Sequence, residues 1–274
     1  MSAINIVITG AAGRMGQTLC RMVREDAAFK LVGVVDRPGH EAALQAIGQS
    51  CGEPSGKAGD VLCATSLEDL LPKVPGALII DFTAPEASAQ NAVVAASHGN
   101  PLVIGTTGLK EEQKEILATA ACKVPIFWSP NMSVGVNALL AVLPELARKL
   151  GLAYDIEVME IHHNRKKDSP SGTALRLGEC LAEARNWDLK ETACYHREGI
   201  IGERPQKEIG LQTLRGGDVV GVHTVYFFGP GERIEVNHQA HSRETFAAGA
   251  LRAAKWLAVQ KAGKLYSMPD LLGV

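Results

Sequence analysis

Residues 4–9, INIVIT, form a short unbroken apolar run, and GAAGRMG follows at once. Over 17–25 the apolar positions Leu19, Met22 and Val23 recur at helical spacing, and 31–36, LVGVVD, is a second apolar run. Strand, glycine turn, helix and strand within about 30 residues is the pattern of a βαβ unit. Residues 38–60 are rich in Gly, Pro, Ser and Ala and predict a loop or irregular insertion. A helix over 66–71 precedes the run ALIIDFT (77–83), a helix over 85–98 precedes PLVIGTTG (101–108), and a helix over 109–121 precedes VPIFWS (124–129). Strands that alternate with helices and lack polar alternation of their own predict a parallel sheet covered on both faces.

The pattern changes near residue 130. A helix is predicted over 137–150, and YDIEVMEIHH (154–163) then alternates, with Ile156, Val158 and Ile161 set between charged residues. A polar loop and a helix over about 172–184 follow. Three long runs of strand character cover 207–215, 218–228 and 232–240, punctuated as hairpins by Gly216-Gly217-Asp218 and Gly229-Pro230-Gly231-Glu232. A last amphipathic helix spans 243–262. The expected architecture is α/β: a Rossmann-like doubly wound parallel sheet over 1–131, to which 241–274 returns, and an α+β C-terminal domain with a mixed or antiparallel sheet over 132–240.

Length and composition fit this division. The chain has 274 residues, of which 46% are hydrophobic and 21% charged, and a formal net charge of −2. Near-neutrality argues against nucleic-acid or membrane-surface partners and leaves a small charged substrate open. No apolar run reaches the roughly 18 residues of a membrane span. The run from Asn137 to Ala147 is broken by Pro144 and Glu145. The first residues lack a basic region followed by an apolar block, so no secretory leader is expected. The six cysteines are widely spaced without a CxxC pair, which fits reduced thiols in a cytoplasm and no metal site.

Gly10, Gly13 and Gly16 lie between a strand and a helix, where glycine permits a tight turn and a close approach of backbone N–H groups to a pyrophosphate. Asp36 ends the second strand 20 residues after Gly16, the offset at which a carboxylate takes ribose hydroxyls. The spacing is GxxGxxG, with Ala12 where a second glycine often lies. Asp36 favours NADH, whereas Arg37, helped by Arg14, can pair with the 2′-phosphate of NADPH; use of both cofactors stays open. Gly105, Thr106 and Thr107 follow another strand, and Asp81-Phe82-Thr83 and Ser129-Pro130-Asn131-Met132 end two more on the same sheet edge.

A second constellation is EIHHNRKKDSPSGTA over 160–174. Two adjacent histidines precede Arg165, Lys166 and Lys167, and a Pro-Ser-Gly-Thr turn opens a helix. Adjacent side chains at a strand end point apart, so His162 and His163 have different tasks. The amides at Gly172-Thr173 suit a carboxylate, and Lys166 offers a point charge or an acid. His223, His238 and His241 read as structural in preference to substrate contacts, Arg215-Gly216-Gly217-Asp218 as a hairpin turn with subunit assembly as the alternative, and Trp128, Trp187 and Trp256 as core or interface.

The segment from Glu160 to Ala174 matches E-x-H-H-x-x-K-x-D-x-P-S-G-T-A. With GxxGRMG (10–16), DFT (81–83), GTTG (105–108), NMSVGVN (131–137), REG (197–199) and RxGD (215–218), it resembles the 4-hydroxy-tetrahydrodipicolinate reductase (dihydrodipicolinate reductase) family over nearly the whole chain. Ser169 stands where the family often has Ala, and Ser129-Pro130 replaces an Ala-rich pair.

The resemblance implies reduction of 4-hydroxy-tetrahydrodipicolinate to tetrahydrodipicolinate, with loss of water, by NADH or NADPH in lysine and diaminopimelate synthesis. It makes His162 a proton donor/acceptor and Lys166 a proton donor, and gives substrate carboxylate to His163, Gly172 and Thr173. Cofactor contacts fall on Gly10, Ala11, Ala12, Gly13, Arg14, Met15, Asp36, Arg37, Gly105, Thr106, Thr107, Ser129, Pro130, Asn131 and Met132. A homotetramer built through the C-terminal sheets is implied as well. Two other classes compete: a different nicotinamide oxidoreductase, such as a homoserine or semialdehyde dehydrogenase, and a non-catalytic dinucleotide sensor. The HHxxK…PSGT segment argues against both.

Overall fold

The computed structural model describes residues 2–49 and 61–274. The chain divides into two compact units, one made of Met1–Ser133 with Glu244–Val274 and the other of Val134–Arg243.

In the first unit the order is β1 (Ile4–Thr9), α1 (Arg14–Glu25), β2 (Phe29–Val35), α2 (Glu41–Gln49), β3 (Leu62–Ala64), α3 (Leu67–Leu70), β4 (Leu78–Asp81), α4 (Pro85–His98), β5 (Leu102–Ile104), α5 (Glu111–Ala121) and β6 (Ile126–Trp128). The second unit holds α6 (Val134–Leu150), β7 (Asp155–His162), α7 (Gly172–Ala184), α8 (Leu189–Thr192), β8 (Ala193–Cys194), β9 (Ile209–Arg215), β10 (Gly221–Gly229) and β11 (Glu232–Ala240). The chain then re-enters the first unit as α9 (Glu244–Leu257), β12 (Leu265–Tyr266) and α10 (Met268–Leu272).

Among the described residues, seven strands of the first unit pair in parallel in the order β12-β6-β5-β4-β1-β2-β3. Alternate residues of each strand feed two cores. Ile6, Ile8, Ile80, Val103 and Phe127 pack with α1 and α9, whereas Val7, Ile79, Ile104 and Ile126 pack with α3, α4 and α5. Burial on both faces explains why these strands read as unbroken apolar runs. Helix α4 starts on Pro85 and stops at Gly99, whose φ of +74° closes the last turn, so both ends are visible in sequence.

Several boundaries differ from the sequence reading. Helix α1 begins at Arg14, not Gln17, because Gly13 is the extended N-cap residue and the turn is confined to 10–13. Residues 41–49 are helical rather than irregular, while the rest of the expected insertion, with Cys51, falls outside the described residues. Helix α6 starts at Val134 and carries Pro144 within it, and α9 ends at Leu257.

The second sheet is mixed, in the order β11-β10-β7-β9-β8. Strands β10 and β11 form the expected hairpin, closed by Pro230-Gly231 with Gly231 at φ +78°. Gly216-Gly217-Asp218 is not a hairpin turn. β9 runs parallel to β7 and β10 antiparallel to it, so β7 lies between them and the connection passes over the end of β7. It is pinned there by Gly216 N–H to His162 O, His163 N–H to Val219 O and Asn164 N–H to Gly217 O, at 2.9, 2.8 and 3.2 Å. One face of the sheet packs Ile156, Val158, Leu211, Val225 and Phe227 against Leu143 of α6 and Leu177 and Leu181 of α7.

Candidate active site

In the first unit the parallel strands deliver their following loops to one edge of the sheet. The three glycines do different work. Gly10 has φ +65°, a left-handed conformation that disfavours a side chain. Gly13 caps α1 and donates its N–H to Gly10 O at 3.0 Å. At Gly16, inside the helix, a Cβ would lie 2.2 Å from Gly10 O and 2.6 Å from Ala11 Cα. The turn therefore packs backbone on backbone against the start of α1.

Asp36 stands directly after β2 and binds back to this turn: its Oδ2 accepts the Ala12 N–H at 2.9 Å. Its Oδ1 accepts the Arg37 N–H and His40 Nδ1–H, both at 2.8 Å. His40 is a partner the sequence reading did not single out. Arg14 and Arg37 are exposed, Met15 packs partly on the core, and Ala11 is fully buried.

A buried carboxylate orders the loops after β4 and β5. Asp81 accepts Thr83 N–H at 2.9 Å, the hydroxyls of Thr83 and Ser88 at 2.7 and 3.0 Å, and Asn91 Nδ2–H at 2.6 Å. Thr106 is joined to the same cluster through Ser88 at 2.7 Å, and its carbonyl accepts Trp128 Nε1–H at 3.1 Å. Gly105 leaves space for the Phe82 ring, which a Cβ would overlap at 2.2 Å. Thr107 and Pro130 are exposed, and Asn131 is half-buried. Ser129 Oγ donates to Asn131 O at 2.7 Å. The Met132 side chain belongs to the core of this unit, so only main chain is on offer at that position. The structure thus brings the loops at 10–13, 36–40, 82–83, 105–107 and 129–131 to one sheet edge. A tight glycine-containing turn opening α1 and a carboxylate 20 residues beyond Gly16 fit a dinucleotide.

In the second unit the helix-covered face of the sheet turns polar at the end of β7. Register puts Glu160 opposite Thr213 on β9 and His223 on β10, and His162 opposite Arg215. Glu160 is 1% exposed. It accepts His162 Nδ1–H at 2.6 Å, Arg215 Nη1–H and Nη2–H at 2.7 and 2.8 Å, Ser171 N–H at 2.9 Å and the Thr213 hydroxyl at 3.2 Å. Burial raises the Glu160 carboxyl, but these donors outweigh it and hold the group below the usual carboxylate range. Burial also pushes the His162 imidazole below its ordinary value, against the opposing pull of Glu160.

Ser171 caps α7, accepting Ala174 N–H at 3.2 Å, and its hydroxyl meets His223 Nε2 at 3.0 Å. Gly172 and Thr173 form the first turn of α7, and a Cβ at Gly172 would meet no atom within 4 Å. His163 lies one residue beyond β7, where its Nδ1 accepts Arg165 N–H at 3.2 Å, which in the neutral ring leaves the proton on Nε2. Lys166 Nζ is 2.9 Å from Asp168 Oδ2 and lowers the Asp168 carboxyl. His162, Lys166, Gly172 and Thr173 thus share one neighbourhood.

Arg215 and His223, read from sequence as a turn residue and a structural histidine, belong to it as well. His223 lies edge-on to His162 with ring centroids 5.2 Å apart. Burial pushes it down to about 4. An unfolded chain protonates this residue near its ordinary value of 6.5, so stability is complete above that pH and falls as pH drops toward 4. Urea unfolding at pH 7 and pH 5 is expected to differ by about 2 kcal/mol from this group. His223→Gln is expected to shrink the difference, and an unchanged difference refutes the assignment.

Among the described residues, no group of three or more His, Cys, Asp or Glu side chains is arranged to hold a metal ion, and no helix is long and apolar enough to cross a membrane. Cys122, Cys180 and Cys194 are thiols outside any disulfide.

A doubly wound sheet with this glycine turn and terminal carboxylate, together with a unit carrying a buried Glu–His pair and a lysine loop, makes up a nicotinamide-nucleotide-dependent oxidoreductase. Residues 4–132 match the family model for the dihydrodipicolinate reductase N-terminus, and 135–272 that for its C-terminus. The 4-hydroxy-tetrahydrodipicolinate reductase of Nitratidesulfovibrio vulgaris is 64% identical over 267 residues, 97% of this chain and 98% of that one. That of Oleidesulfovibrio alaskensis is 62% identical over 270 residues, 98% of this chain and all of the other. Dipicolinate-bound dihydrodipicolinate reductase from Paenisporosarcina sp. TG-14 shares the fold, with a TM-score of 0.75 at 23% identity over 98% of each chain. The chain belongs to the dihydrodipicolinate reductase family.

Proposed function

We propose that the protein reduces 4-hydroxy-tetrahydrodipicolinate to tetrahydrodipicolinate, with loss of water, in the cytoplasmic synthesis of lysine and diaminopimelate. The observation that carries this reading is the tie, through one buried carboxylate, between His162 and the turn that opens α7. The substrate is a dianion whose ring holds a C=N bond after dehydration. His163 and the Gly172 and Thr173 amides bind a ring carboxylate, and these donors, with the Lys166 ammonium nearby, raise the hydride affinity of the ring. Lys166 supplies the proton as the ring is reduced, and His162, with its Nδ1–H committed to Glu160, hands protons through Nε2. The reduced nicotinamide, when bound, supplies the hydride.

The first unit is the dinucleotide-binding domain and the second the substrate-binding and assembly domain. Asp36 supports use of NADH. Arg37, and His40 beside the same carboxylate, support acceptance of NADPH. Oligomerisation as a homotetramer is supported by the face of the second sheet opposite the helices, where Leu214 and Phe228 are exposed and Tyr226 stacks on Phe228 at 5.5 Å.

The test is a coupled assay. A synthase makes the substrate from pyruvate and aspartate semialdehyde, and oxidation of NADH and NADPH is followed separately. Substrate-dependent oxidation is expected with at least one of them. Nucleotide binding without oxidation moves the protein to another substrate or to a sensor. In the same assay His163→Ala is expected to raise the substrate KM about 10–100-fold, the worth of a charge-assisted hydrogen bond, with kcat little changed. An unchanged KM removes His163 from the substrate.

A further inference from the structure

We propose that Glu160, clamped by Arg215, is the positioning residue that sets the proton-transfer atom of His162 and registers it with the carboxylate-binding turn at Ser171-Gly172. This rests on the function proposed above. An ionised carboxylate only accepts hydrogen bonds, so the 2.6 Å contact puts the ring proton of His162 on Nδ1 and leaves the Nε2 lone pair as the reactive position. The other carboxylate oxygen accepts the Ser171 N–H at 2.9 Å, one residue before α7 begins. One rigid group therefore sets the distance between the histidine and the helix start.

Arg215 completes the arrangement. Its two Nη atoms grip both oxygens of Glu160 in fork geometry, which orients the carboxylate and keeps it ionised. Arg215 Nη2 also donates to Asp168 O at 2.7 Å, and the Asp168 carboxylate holds Lys166 Nζ at 2.9 Å. The same guanidinium so reaches the lysine loop. The end of β7, the 163–168 loop and the 171–173 turn all hang on this ion pair, whose arginine is brought in from β9.

The role differs from that of a structural salt bridge in what it does to a tautomer. In Glu160→Gln the side-chain oxygen can still accept from Ser171 and Thr213, but the amide nitrogen donates to His162 Nδ1 and drives the ring proton to Nε2. ¹⁵N NMR of histidine-labelled enzyme reads this directly and needs no substrate. The wild type is expected to show His162 protonated on Nδ1 and Glu160→Gln on Nε2, with kcat falling about 100-fold or more and the KM for reduced nicotinamide unchanged.

A Glu160→Gln enzyme that keeps the Nδ1–H tautomer, or keeps the wild-type kcat, overturns the proposal. Should that variant not fold, Arg215→Lys decides. It keeps the charge but loses the fork, and is expected to lower kcat about tenfold and raise the substrate KM. Wild-type values for both overturn the proposal. If no variant, wild type included, turns over the expected substrate while the tautomer shift is seen, the substrate assignment fails and the positioning role stands.

Discussion

Lys166→Ala is expected to lower kcat by about 10²–10⁴-fold, the usual worth of a positioned general acid. The Nζ group lies against Asp168 in the loop that β7 feeds, and its charge acts on His162, helping to push that imidazole down. Burial holds His162 toward its neutral form, which leaves the Lys166 amine as the candidate acid of the neighbourhood. Removing it takes away an interaction made as the ring is protonated, so kcat and kcat/KM fall together while the KM for reduced nicotinamide stays put. Steady-state kinetics with the coupled assay separate these quantities. A Lys166→Ala enzyme with normal kcat would falsify the acid role and leave proton delivery to His162 or solvent.

Gly16→Ala is the second large effect, and it is a steric one. The added methyl group would sit 2.2 Å from Gly10 O and 2.6 and 2.8 Å from the Ala11 Cα and carbonyl carbon, all of them backbone. No side chain can swing away, so α1 must retreat from the turn. Overpacking of this kind costs roughly 1–3 kcal/mol and more where backbone has to move. The retreat also drags the Ala12 N–H from Asp36, so the turn and this carboxylate lose register together. The expected result is a melting temperature several degrees lower and a KM for NADH raised at least about tenfold. Fluorescence titration with NADH and a thermal melt check the two parts independently. Wild-type values in both would mean that the close packing at Gly16 is dispensable.

Much of the first unit was legible because its information is local. A continuous apolar run bounded by turn residues marks a strand buried on both faces, and the caps of α4 state both of its ends. The glycine turn and Asp36 were readable for the same reason: strand, turn, helix and strand follow one another within one βαβ unit. In the second unit, the 160–174 segment carries His162, His163, Lys166 and the start of α7 in one stretch of chain, so its candidate residues could be named before the fold was known. The path of 216–220 was misread because Gly-Gly-Asp favours a tight reversal wherever it occurs, and nothing local says whether the two flanking strands pair with each other or with a third.

The sequence by itself determined which strands are apolar on both faces and which alternate, where the glycine turn lies, and which short segment bears the candidate reactive side chains. These follow from period, turn chemistry and adjacency along the chain. Only the tertiary structure decided that Arg215, 55 residues from Glu160, grips its carboxylate, and that His223 meets Ser171 across 52 residues. Those partners are set by β9 pairing parallel and β10 antiparallel to β7. Backbone hydrogen bonds are the same for every residue, so register is decided by the packing of the whole sheet on its helices and not by any stretch of chain alone.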